Sequence, residues 1–296
     1  MKFFEKKPVL MIILGVFGIS LSSIFVKYSI APSGVTAAWR LWWTVALMSP
    51  AVWGRKGIRN ELFCVDKKTV LLSCFSGFFL AIHFVLWFES LQHTSVASST
   101  TIVCTEVIWV SLGYWLFLKG KISVKAVAAI AVTLIGSILI AMADSGSGGA
   151  NLYGDVLALL AAVAVAAYVL LGRIVRATVS TTVYTYIVYT SCAVALLVFC
   201  VVQGYGILSY GSSAVLVGLL LSIFSTILGH SIFSWCLKFF SPSFVSASKL
   251  CEPVVAAILA AFLFGEIPVL TQLLGGILIL GGVVYYSVLE QRLEQS

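Results

Sequence analysis

Ten apolar runs, each close to the ~20 residues that a helix needs to cross a bilayer, divide this chain, and the basic residues between them fall in alternate loops. The runs cover about residues 8–30, 34–53, 70–90, 95–118, 122–142, 152–172, 180–202, 213–237, 242–264 and 268–288. Lys2, Lys6 and Lys7 precede the first, and Arg55, Lys56, Arg59, Lys67 and Lys68 separate the second from the third. Lys119, Lys121 and Lys125 follow the fourth, Arg173 and Arg176 the sixth, Lys238 the eighth, and Arg292 lies in the tail. Fifteen of the 18 basic residues thus lie on one side, and the five intervening loops hold none. Lys and Arg favour cytoplasmic loops, so the pattern predicts a multi-pass protein of the inner or plasma membrane with both termini cytoplasmic.

Composition excludes a soluble domain. The chain is 61% hydrophobic and 10% charged, whereas soluble domains carry about 25% charged residues. The net charge of +7 reflects loop orientation and contact with anionic lipid rather than a nucleic-acid partner. The cysteines (Cys64, Cys74, Cys104, Cys192, Cys200, Cys236 and Cys251) are odd in number and lack a CxxC spacing. They predict neither a disulfide framework nor a metal site, and read as small apolar packing residues. The basic N-terminus ahead of an apolar stretch is like a signal peptide, but the stretch is long and Lys27 closes it; it is read as an uncleaved first helix.

The chain repeats itself. A shift of 146 residues carries the first five runs onto the last five, placing Lys27 on Arg173, Ser95 on Ser241, Glu106 on Glu252 and Gly136 on Gly282. Leu91 to Ser95 likewise falls on Leu237 to Ser241. A unit with an odd number of spans is inserted upside down relative to its copy, the inverted-repeat plan of secondary transporters. The expected fold is therefore an all-α membrane protein of ten transmembrane helices in two five-helix inverted repeats, 1–145 and 146–296. A Gly/Ser linker at 144–151 of the flexible kind joins them.

Several stretches, in this order, resemble the EamA branch of the drug/metabolite transporter superfamily. They are Pro32 to Arg40, Ser90 to Ala97, Gly154-Asp155 with Ala158-Leu159, Gly229-His230 with Trp235 and Leu237, Glu252-Pro253, Gly265-Glu266, Gly275-Gly276 and Gly281-Gly282. The resemblance covers nearly the whole chain. It implies a ten-helix carrier with a central cavity lined mainly by spans 1, 3, 4, 6, 8 and 9. Relatives of this kind resemble exporters of amino acids, nucleotide precursors and drugs, and some import. The first half departs from the family pattern twice: Lys119-Gly120-Lys121 stands where a Gly-Glu pair is common, and Val107 where the second half has Pro253. Proline removes a backbone hydrogen bond, so the second half is expected to flex more at its ninth span.

Ionisable groups far from water are the candidates for transport chemistry, because they are costly in hydrocarbon and face a cavity or a partner. Glu106 and Glu252 hold equivalent positions in spans 4 and 9; each can take up a proton, hold a cationic group, or brace packing. Lys249 lies three residues before Glu252, hence on the same helical face. It either neutralises that glutamate or projects toward a substrate carboxylate or phosphate, since its counterpart is the apolar Val103. With Glu106, the second reading favours a zwitterion. His83 and His230 lie one position out of the 146-residue register, and suit either proton relay or helix-to-helix hydrogen bonding. Arg40 reads as a structural partner of a carboxylate or carbonyls. Trp109, Tyr168 and Trp235 form a candidate aromatic wall, whereas Trp39, Trp42, Trp43 and Trp53 read as lipid-facing or belt residues. The small residues of spans 5 and 10 suit close helix contact or a dimer seam.

The sequence contains no nucleophile, metal-ligand or phosphate-loop constellation. The expected activity is secondary transport of a small metabolite such as an amino acid or related zwitterion. It would run outward by alternating access, through proton exchange or facilitated diffusion, without cofactor, as a monomer or homodimer. A membrane-embedded enzyme or a signalling scaffold is the alternative. An enzyme would gather polar groups at one interface, and here they lie mid-span; a scaffold would add a soluble domain.

Overall fold

The computed structural model describes residues 8–94, 96–144, 152–252, 254–255, 258–259 and 270–294. The linker residues 145–151, Ser95, Pro253, Gly265 and Glu266 lie outside them. The helices in chain order are α1 (Pro8–Ser20), α2 (Ser22–Lys27), α3 (Ser33–Trp53), α4 (Lys56–Cys64), α5 (Lys67–His93), α6 (Val96–Cys104), α7 (Glu106–Leu118) and α8 (Val124–Asp144). Then come α9 (Leu152–Val175), α10 (Thr181–Val202), α11 (Gly211–Leu220), a π-helix here called π1 (Leu221–His230), α12 (Ser231–Cys236), α13 (Pro242–Lys249) and α14 (Leu270–Glu294). Among the described residues, six stretches are long and apolar enough to cross a membrane: Pro8–Val26, Lys67–His93, Ser99–Leu118, Leu152–Val175, Thr181–Val202 and Gly211–Cys236. Val124–Leu139 and Leu273–Tyr286 are shorter apolar stretches. The chain is a multi-pass membrane protein.

Local chemistry sets the boundaries. Ser180 and Ser241 cap α10 and α13 by accepting from the backbone N–H of Val183 and Phe244, and Pro242 suits the first turn because its missing N–H is not needed there. Asp66 accepts from the Thr69 N–H at 3.0 Å, and hydrogen bonds from Thr69 hold its carboxyl below the ordinary value. Lys119 ends α7 in the left-handed region at φ 51°, and the Gly120 N–H closes back on the Tyr114 carbonyl at 3.0 Å. The loop between spans 2 and 3 contains a helix the sequence reading lacked: α4 has no buried residue, so it is a surface element invisible to a search for apolar runs.

The chain forms two compact units, Met1–Phe88 with Ala167–Phe239, and Glu89–Ala166 with Phe240–Ser296. Each draws on both halves of the sequence. In the first, α3 packs on α10 and α11, and α1 on π1 and α12. A Cβ at Gly18 would meet the Phe224 carbonyl oxygen at 2.7 Å, and one at Gly229 the Ile19 side chain at 2.6 Å, so glycine permits the α1–π1 approach. Trp39, Trp43 and Trp53 are tied by their indole N–H groups to the Ile207 carbonyl at 3.1 Å, the Val215 carbonyl at 3.1 Å and the Tyr186 hydroxyl at 2.9 Å. They are anchors as well as aromatic surface.

In the second unit α8 packs along α14, and α13 against α7 and α14. A Cβ at Gly136 would meet the Gly275 carbonyl oxygen at 2.6 Å. Gly136, Gly275 and Gly282 are therefore used in packing within the chain, while Gly281 faces open space.

Candidate functional site

Two buried polar centres stand out, one in each unit. The centre of the second unit is built on interruptions. α6 stops at Cys104 and α7 starts at Glu106, while α13 stops at Lys249 and the chain turns through Leu250 and Cys251 before Glu252. The backbone tightens at both places. Thr105 N–H donates to the Ile102 carbonyl at 3.0 Å, Leu250 N–H to Ala247 at 3.1 Å and Cys251 N–H to Ser248 at 3.2 Å. This three-residue spacing is that of a 3₁₀ turn. The interruptions occupy equivalent positions in the 146-residue register and precede the equivalent glutamates. The first occurs beside Val107 without any proline, so the helix break does not need one.

The interruptions bring together groups far apart in the sequence. The Lys249 Nζ donates to Glu106 Oε1, 143 residues away, at 2.8 Å. Lys249 is 7% exposed and Glu106 4%. The lysine of the second half thus neutralises the carboxylate of the first. A pair this buried is held by its own complementarity, because loss of either partner strands a charge in low dielectric. Glu252 is buried as well. Trp109 shares the α7 face of Glu106, and its buried Nε1 has no hydrogen-bond partner among the described residues.

The centre of the first unit surrounds Arg40, which is 1% exposed. Its Nε donates to Thr226 Oγ1 at 2.7 Å and its Nη1 to Ser22 Oγ at 3.4 Å, and its guanidinium lies 4.2 Å from the Phe84 ring centre. Hydroxyls and an aromatic face are partners that the sequence reading did not foresee. One turn along α3, Thr44 donates to Ser222 Oγ at 2.9 Å. Ser222 and Thr226 both belong to π1, whose i→i+5 pattern is seen in the Ser231 N–H bonded to the Thr226 carbonyl.

His83 and His230 are brought to one place, their rings 5.2 and 5.4 Å from that of Phe84. His83 stacks on Trp87 at 5.9 Å. Tyr168 lies 6.0 Å from His230 and shares a hydrogen bond with Ser234 at 2.9 Å. Trp235 packs on Phe239 at 4.4 Å. The sequence reading missed Ser22, Thr44, Ser222 and Thr226, whose only signal was hydroxyls recurring inside apolar runs.

Comparison with known proteins identifies the family. The EamA-like transporter family matches residues 6–142 and again residues 152–288, displaced by 146 at both ends. An uncharacterized transporter, YxxF, of Bacillus subtilis (strain 168) is 28% identical over 228 residues, 76% of this chain and 72% of that protein. An uncharacterized transporter of Clostridium kluyveri is 28% identical over 204 residues, 67% of this chain and 66% of that one. A crystal structure superposes with a TM-score of 0.78 over 98% of this chain and 99% of its own, at 18% identity, which speaks for the fold alone. With both halves matched, the chain belongs to the EamA-like transporter family.

Proposed function

We propose that this protein is a secondary carrier that exports a small zwitterionic metabolite, an amino acid or close relative, by alternating access. Its ten spans form two inverted repeats, 1–145 and 146–296, around the cavity that the family resemblance implies, with both termini cytoplasmic. The alternation of basic loops and the paired family matches support that layout.

The observation that carries the substrate class is the Glu106–Lys249 pair at two helix interruptions. A ligand with a single charge that engages one partner leaves the other buried and unpaired, at about 3–5 kcal/mol. A zwitterion offers an ammonium to Glu106 and a carboxylate to Lys249, so both charges exchange one partner for another. The indole N–H of Trp109, on the Glu106 face, is a further donor for the carboxylate. Glu252 is the equivalent acid of the second half, and His83 and His230 are the groups suited to moving a proton near neutral pH. Tyr168 adds a wall beside His230, and Trp235 follows on the next turn.

Proteoliposomes loaded with amino acids, and with amines or acids that lack one of the two charges, test this reading. Release of the zwitterions alone, lost in Glu106→Gln and in Lys249→Met, is the expected result. Equal release of the singly charged analogues, or unchanged transport in both variants, would remove the pair from the substrate site.

A further inference from the structure

A π-helical ring closes on i→i+5 instead of i→i+4 and so contains one more residue than an α-helical ring. Such segments are rare and occur often at functional sites. The eighth apolar run contains one of ten residues, Leu221–His230. The equivalent stretch of the third run lies within α5, which is unbroken from Lys67 to His93. The difference bears on the two histidines. In the 146-residue register His83 falls on Gly229, one position before His230. One surplus residue within the run moves His230 to the place that an α-helix would give Gly229. His83 precedes Phe84 in the chain, and the structure brings the His230 imidazole to the same ring, 5.4 Å from its centre.

π1 packs on α1 and on α3, and α3 supplies buried side-chain hydrogen bonds to it: Arg40 Nε donates to Thr226 and Thr44 donates to Ser222, two π1 residues one turn apart. Both bonds are buried, and Arg40 itself is fixed from other sides by Ser22 and the Phe84 face. We propose that Arg40 and Thr44 are positioning residues that hold the eighth span in π register and thereby set which residue, His230 rather than Gly229, is presented beside Phe84 and Tyr168. A relaxation of π1 to α would advance every later residue of the span by one position and withdraw the imidazole. The register of one span is then a switch for the only titratable side chain that π1 carries.

The readout is a register and does not depend on what the protein transports. Gly229 lies against Ile19, where a Cβ would approach the Ile19 side chain at 2.6 Å, so cysteines at 19 and 229 are placed to form a disulfide. Ile19→Cys is combined in turn with Leu228→Cys, Gly229→Cys and His230→Cys, and oxidative cross-linking is measured in membranes. In the parent background the yield should peak at 229. With Arg40→Met it should move to 228, because an α-helix reaches the same point with one residue fewer, and Arg40→Lys should keep part of the yield at 229. Deleting Ser225 removes the surplus residue, so the deletion combined with Arg40→Met should return the peak to 229. A peak that stays at 229 in Arg40→Met at the parent yield overturns the proposal. Loss of cross-linking at all three positions, not recovered by the Ser225 deletion, also overturns it, since that is loss of fold and not a change of register.

Discussion

The third and eighth apolar runs occupy equivalent places in the repeat, yet one is a single helix of 27 residues, α5, and the other is α11, π1 and α12 in succession. The fourth and ninth runs behave oppositely, interrupted at the same point in both halves. Shared interruptions belong to the plan of the repeat. The unshared one belongs to this chain's own second half, and it coincides with a buried guanidinium and a row of hydroxyls. Duplication therefore explains where helices break before the glutamates. Only particular side chains explain why one span winds differently from its copy.

The largest expected effect separates α5 from π1 directly. Deleting Phe79, the residue equivalent to Ser225, rotates all of α5 beyond it by ~100° and should abolish recovery of folded protein. Deleting Ser225 should leave the protein folded, with a midpoint close to the parent in detergent, because π1 has a residue to spare. Equal damage from both deletions would erase the distinction between the two runs.

Next is the charge pair that joins the two interruptions. Glu106→Gln and Lys249→Met should each destabilise by about 3–5 kcal/mol, and the two together should recover most of the loss. A double-mutant cycle in denaturant reads this coupling. Additive losses would show that the two groups are stabilised separately.

A smaller contrast lies in α8 and α14, the fifth and tenth runs. Gly136→Ala drives a methyl toward the Gly275 carbonyl, 2.6 Å from the position its Cβ would take, and should cost about 1–3 kcal/mol. Gly281→Ala enters open space and should stabilise the helix by about 0.5–1 kcal/mol. Thermal midpoints of the two variants should move in opposite directions.

The smallest effect is at the end of α7. Lys119 adopts φ 51°, a conformation costing a side chain roughly 1–2 kcal/mol, so Lys119→Gly should raise stability by up to about 1 kcal/mol. A fall in the midpoint would mean that the basic charge there matters more than the turn.

Some features were legible residue by residue. Glu106 announced itself as an acid in the middle of an apolar run, and the 146-residue shift identified its counterpart. Lys249 was legible as a buried charge, but its bond to Glu106, 143 residues distant, was not. Arg40 misled in another way: its partners Ser22 and Thr226 come from distant segments, and no local spacing announces a long-range contact.

By itself the sequence determined that the chain is a helical, multi-pass membrane protein built from a duplicated unit. Solvent imposes the helical, membrane-spanning character, because hydrocarbon demands apolar runs with internally bonded backbones, and the duplication is written in the two family matches. The tertiary structure decided which charges meet, where a run ceases to be α-helical, and which histidine position faces Phe84. An apolar run satisfies hydrocarbon in either winding, so hydropathy does not distinguish α from π. The choice falls to side chains such as Arg40 and Thr44, which reach π1 only after the chain has folded.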